Sequence, residues 1–206
     1  MKKSVLLCIG VCFLLSCNET IKETKDVIEE ETTNKEIVEA TEANAFRDSL
    51  QALCGKAFEG TLVLPENDPD FGGKQLVMHV RSCEDNVIRI PFFVGDDKSR
   101  TWVLTFENDR IELKHDHRHE DGTEDDITMY GGITTNSGQA NIQTFSADQH
   151  TKEILPAAST NIWWITVDDK QFIYNLRRLG TDRVFTVAFD LTKTIATPEA
   201  PWGWED

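Results

Sequence analysis

The segment Arg110–Glu120 reads Arg-Ile-Glu-Leu-Lys-His-Asp-His-Arg-His-Glu and holds three of the 5 histidines of the chain at alternating positions. In an extended strand, alternation places Ile111, Leu113, His115, His117 and His119 on one face. Ile111 and Leu113 mark that face as the inner one. Asp116, Arg118 and Glu120 fall on the opposite face. Imidazole nitrogens suit zinc and other divalent transition metals, so His115, His117 and His119 are candidate metal ligands. Same-face neighbours stand about 6.8 Å apart, which puts His115 and His119 about 13 Å apart at the backbone. Two of the three can share an ion directly, whereas all three need a bulge or a bend. A complete site needs a ligand from elsewhere, and His79 in Met78-His79-Val80 is the first candidate, with His150 behind it. The alternative is that these histidines line a polar cavity and hydrogen-bond their neighbours.

Two arginines carry a second possibility. Arg89 stands among Val87, Ile88, Ile90 and Phe92, and Arg100 precedes Trp102. A guanidinium in such a strand faces outward, pairs with a carboxylate inside, or grips an anionic ligand. His79, Arg89 and Arg100 are therefore the candidate ligand-binding residues. A metal at the histidines would allow water activation, with Asp116, Glu120 or Asp121 as base. The EF-hand calcium pattern fails at Asp121, because it requires oxygen ligands where His117 and His119 stand. No metalloprotease helix, nucleophile elbow or phosphate loop occurs.

The elements that must position these residues follow from periodicity. Phe46, Leu50 and Leu53 recur at helical spacing, and Gly55 stands where a left-handed cap would end a short helix. From there the period is two. Strands are expected at 57–64, 75–82, 86–94, 100–107, 110–120, 126–131, 139–146, 161–168, 171–178 and 183–191. Turn signals such as Asn108-Asp109, Asp121-Gly122 and Gly180-Thr181-Asp182 separate them. No second helical segment is expected, which excludes strand–helix–strand architectures. The fold class is all-β: an antiparallel meander of about ten strands, closed as a barrel or folded as a sandwich. A helix followed by such a meander resembles lipocalin-type barrels at the level of fold alone. Pro201-Trp202-Gly203-Trp204 is expected either to seal a barrel end or to form an exposed aromatic platform.

Composition sets the surroundings. The chain has 206 residues, 36 acidic and 21 basic, for a net charge of -15. That charge repels phosphate backbones and excludes nucleic acid as a partner. Met1-Lys2-Lys3 followed by an apolar run from Val5 to Leu15 is the pattern of a signal peptide, too short to span a bilayer. Leu14-Leu15-Ser16-Cys17 resembles the lipobox of bacterial lipoproteins, in which the cysteine is cut free and acylated. Residues 1–16 are thus expected to be removed and Cys17 to carry lipid that anchors the protein in a membrane. Asn18 in place of Asp favours the outer membrane of the bacterial envelope over inner-membrane retention. Residues 18–42 hold nine acids, three lysines and no aromatic residue, and read as an acidic tether. The folded domain then spans 43–206. Cys54 and Cys83 remain after export, and an oxidising compartment favours one disulfide between them.

Arg89-Ile90-Pro91-Phe92, Ser99-Arg100-Thr101-Trp102, Leu113 through Gly122, Tyr130-Gly131-Gly132 and Pro201-Trp202-Gly203 together resemble a family of uncharacterised bacterial secreted proteins and lipoproteins. The His-Asp-His-Arg-His-Glu-Asp-Gly stretch is the most specific part. The resemblance implies a shared fold and an envelope location, and it carries no catalytic residue over. The expected function is a lipid-anchored envelope protein that binds a small molecule or a metal ion in a His-lined pocket. A metal-dependent hydrolase and a purely structural envelope module are the alternatives.

Overall fold

A computed structural model describes residues 41–205. The expected signal peptide, the expected lipidation site at Cys17 and the expected acidic tether up to residue 40 lie outside the described residues.

The first element is helix α1 (Glu42–Gln51). The Thr41 side chain caps it by accepting from the Asn44 N–H at 3.3 Å, and Glu42 complements the positive end of its dipole. Ala43, Phe46 and Leu50 form its buried stripe, and Gly55 adopts φ +78° just beyond it.

Eleven strands follow: β1 (Ala57–Leu64), β2 (Leu76–His79), β3 (Ser82–Cys83), β4 (Val87–Val94), β5 (Asp97–Glu107), β6 (Arg110–His117), β7 (Tyr130–Ile133), β8 (Ile142–Ala147), β9 (Asn161–Val167), β10 (Gln171–Arg178) and β11 (Val184–Asp190). All pairings are antiparallel. The sheet order is β2-β1-β11-β10-β9-β8-β7-β6-β5-β4-β3, and β2 also pairs with β4. That last pairing closes ten strands into a barrel and leaves β3 as an extra strand beside β4. The choice between barrel and sandwich is thereby decided in favour of the barrel.

Local chemistry explains the hairpins. Asn108 and Asp109 both adopt positive φ (49° and 63°), the backbone that a two-residue turn between twisted strands requires. The strand expected at 75–82 divides in two. Leu76–Met78 pair with Phe92–Val94, and Ser82 and Cys83 pair with Arg89 and Ile88 further down the same edge. Between them, the Val80 N–H turns away to the Lys56 carbonyl. The strand expected at 126–131 begins only at Tyr130, because Met129 takes φ +55° and breaks the extended run. A second helix, α2 (Gln149–Ile154), corrects the expectation of a single one. Its amphipathic signal is only six residues long, and its start is set by Asp148, whose side chain accepts from the Thr151 N–H at 2.8 Å.

The barrel is filled, not hollow. Phe58, Met78, Ile90, Leu104, Leu113, Phe145, Trp163, Phe172 and Phe189 all point inward and are fully buried or nearly so. α1 packs against β5, β8 and β9 and adds Phe46 and Leu50 to this core. The expected Cys54–Cys83 disulfide is present, with Cα atoms 6.3 Å apart, and ties the chain after α1 to β3. In the C-terminal Pro201–Trp204 segment, Pro201 is buried and both indoles are half-buried, so it is not a fully exposed aromatic platform. It lies against the start of β5 and the turn after β6: the Trp202 N–H reaches the Lys98 carbonyl, Gly203 lies beside Gly122, and Arg81 lies over the Trp204 ring.

Candidate functional site

At the barrel end opposite α1, the core gives way to a cavity of about 110 Å³. Strand alternation delivers its walls. Arg100 and Trp102 come from β5, His115 and His117 from β6, Tyr174 and Leu176 from β10, Phe92 from β4 and Phe185 from β11. Register sets the neighbours: Arg100 lies opposite His117, Trp102 opposite His115, and His115 opposite Tyr130 on the other side. Phe71, from the loop between β1 and β2, covers the mouth. It packs against Phe185 at 4.6 Å between ring centroids, and the Arg100 guanidinium lies 5.5 Å over its face.

The floor is an aromatic stack. Trp102 lies between Phe92 (4.9 Å, interplanar angle 13°) and Tyr174 (4.5 Å, 17°). Polar atoms rise from it in a defined order. His115 is buried, and its Nδ1–H donates to the Tyr130 carbonyl at 2.9 Å. A carbonyl only accepts, so this bond fixes the tautomer and makes Nε2 an acceptor for the Tyr174 hydroxyl at 2.7 Å. Burial pushes the His115 pKa down to about 3, so the ring is neutral near pH 7. Burial, reinforced by the Arg100 charge, lowers His117 to about 4. Burial raises Tyr130 to about 12, so its hydroxyl stays protonated, and it is hydrogen-bonded to His117 Nε2 at 3.1 Å.

Tyr130 is held in place from behind. Gly131 and Gly132 let β7 lie against its neighbours: a Cβ at either would come within 1.8 Å of a backbone oxygen, that of Leu113 or of Ser146. The Thr151 hydroxyl of α2 accepts from the Gly131 N–H at 2.7 Å and donates to the Gly131 carbonyl at 2.8 Å. Lys114 pairs with Asp148 at the start of the same helix. Met129, in the left-handed region just before Tyr130, is held there by its N–H bond to the His115 carbonyl at 2.6 Å.

The structure brings together only some of the expected site residues. Of the three histidines, His115 and His117 line the cavity and His119 does not. β6 ends at His117, and the His119 carbonyl accepts from the Gly122 N–H in a turn, which leaves its side chain exposed. Of the ligand-binding set, Arg100 lines the cavity. His79 lies opposite Ala57, on the face of β2 that Val77 shares and that the chain around Ile195 covers, while Leu76 and Met78 point into the core. Arg89 alternates with the inward Ile88 and Ile90 and pairs with Glu84 on the outside at 2.6 Å. Asp116 binds Arg118 and Thr128 away from the cavity, and Glu120 and Asp121 are exposed. Both nitrogens of His115 are committed to hydrogen bonds, and no group of three or more His, Cys, Asp or Glu side chains suited to a metal ion occurs among the described residues. Tyr174, Leu176, Phe71 and Arg183 are cavity residues that the sequence did not mark.

No family model, curated protein or solved structure matches this chain. The site offers an apolar floor, two neutral imidazoles, two phenols and two guanidiniums around a volume suited to a small molecule.

Proposed function

We propose that the protein is a lipid-anchored component of the bacterial envelope that binds a small organic molecule in the cavity lined by Arg100, His115, His117 and Tyr130. One observation carries this. Apolar side chains fill the barrel interior up to Trp102, and beyond that ring pre-positioned polar groups surround an apolar floor. The imidazoles serve as fixed hydrogen-bonding groups, not as titrating ones, since both are neutral near pH 7. Metal-dependent hydrolysis is not favoured: His119 stands apart from its two partners, and none of Asp116, Glu120 and Asp121 lines the cavity.

Protein-observed NMR with single-ring aromatic fragments tests this reading. Fragments are expected to shift the Trp102 indole and the Tyr174 and His117 rings, and Leu176→Trp, which fills the cavity, is expected to abolish those shifts. Shifts scattered over the surface, or surviving in the filled variant, would refute it. The membrane address has its own test: labelled fatty acid should enter the native chain and not a Cys17→Ala variant.

A further inference from the structure

We infer that the cavity selects a compact carboxylate, a molecule with a flat apolar body of about one ring and a single anionic end facing Arg100 and Arg183. This rests on the cavity being a ligand site at all, and it adds the class of ligand. The chain carries a net charge of -15, yet every formally charged side chain lining the cavity is cationic. Arg100 comes from β5 and Arg183 from the turn before β11, so two separate elements direct guanidiniums to one small volume. No Asp or Glu lines it with them.

Neither arginine is used up by its carboxylate. Arg100 gives Nη1 to Asp97 Oδ2 at 2.5 Å, and Arg183 gives Nη1 to Asp68 Oδ2 at 3.5 Å. A guanidinium has five N–H donors in a planar fork, so each retains donors suited to the paired oxygens of a carboxylate. The two aspartates act as anchors that aim the arginines. They stand outside the lining, so they do not occupy the position an anion would take.

The rest of the cavity sets the body of the ligand. Phe92, Trp102 and Tyr174 stack on one another and turn ring edges toward the cavity, an apolar wall against which the body of a single-ring ligand packs. The volume of about 110 Å³ is of the order of a cavity that takes one benzene ring. Fully buried Trp163 and Phe172 fill the space beyond the floor, which leaves no channel for a long acyl chain.

The test is an NMR titration of the purified whole chain with benzoate, benzamide and acetate. Benzoate is expected to shift the Trp102 and Tyr174 signals and to bind at least about tenfold tighter than benzamide, in line with a charge-assisted hydrogen bond. Acetate, with the anion and no ring, should bind more weakly than benzoate. Arg100→Gln should bring the benzoate-to-benzamide ratio close to one. Arg183→Lys keeps a cation beside Asp68 while removing the fork, and should lower the same ratio. This second variant decides the matter if Arg100→Gln does not fold. Benzamide binding as tightly as benzoate would overturn the anionic class and leave the cavity reading intact. A preference for benzoate that survives both substitutions would also overturn it. No shift at the cavity with either aromatic probe would remove both proposals together.

Discussion

At the α1 end of the barrel, Phe46 and Leu50 are fully buried among apolar side chains, and the Cys54–Cys83 bond joins the chain beyond the helix to β3. At the opposite end, the same inward-facing strand positions hold Arg100, His115, His117, Tyr130 and Tyr174, and the closing element is a loop residue, Phe71. The first end is held by packing and a covalent link. The second is held by a chain of hydrogen bonds from Tyr174 through His115 to the Tyr130 backbone, and from the Tyr130 hydroxyl to His117. Apolar contacts at one end require only volume to be filled, whereas polar contacts at the other require each donor to find its acceptor. The contrast separates an apolar end that stabilises the fold from a polar end where the proposed ligand site lies.

If that division is real, the largest effect should come from the closed end. Phe46→Ala opens a void in a fully buried position and is expected to cost about 4 kcal/mol in chemical denaturation. Ligand affinity measured under native conditions should stay the same, and a parallel loss of affinity would break the comparison. Removing the disulfide with paired Cys54→Ser and Cys83→Ser changes is expected to cost about 3 kcal/mol, since the bond spans a separation of 29 residues. Again the open end should not respond.

The next test acts on the open end alone. His117 is neutral in the fold because burial lowers its pKa to about 4, while in the unfolded chain it titrates near 6.5. Between those values the unfolded state binds the extra proton, so stability falls as pH drops from about 6.5 to about 4. The loss attributable to this residue is on the order of 3 kcal/mol, and it levels off below the folded pKa. A His117→Gln variant should show a correspondingly shallower decline in a pH series of denaturation midpoints. An identical decline in both proteins would count against a buried neutral His117. Tyr174→Phe is smaller still. It leaves His115 Nε2 without its donor and is expected to cost about 1–2 kcal/mol. Its proper readout is the His115 ring in a nitrogen-detected NMR experiment, where the Nε2 signal should move and the Nδ1 signal should not. Last comes a change of zero: a chelator should leave the unfolding midpoint where it was, and a drop would revive the metal reading of the His115–His119 strand.

Much of this was legible in the sequence, for a definable reason. Period-two alternation in Ile111, Leu113, His115 and His117 is a local property, so it set the inward face of β6 correctly. The same rule applied to Met78-His79 and to Ile88-Arg89-Ile90 would have turned His79 and Arg89 outward, because their apolar neighbours take the core positions. His119 escaped because the end of the strand is decided by Gly122, at φ +85°, and by bonds that close the turn. Tyr174 and Arg183 carry no local signal. Tyr174 reaches His115 across a sequence separation of 59 residues, through barrel closure and register, neither of which a single strand encodes. The helix α2 was hidden by its brevity, although Asp148 and Thr151 stand at capping distance.

A last consequence concerns how the molecule behaves toward copies of itself. Closure through β2 and β4 gives every long strand among the described residues a partner on both sides over at least part of its length, so no full-length edge is left there to recruit another sheet. Among the described residues, the one strand outside the closed ring, β3, is two residues long and is stapled through Cys83. An edge that short and that firmly pinned is a poor template for edge-to-edge association, so the barrel is guarded against aggregation at high local concentration. Reducing conditions would loosen that guard first at β3, well away from the cavity.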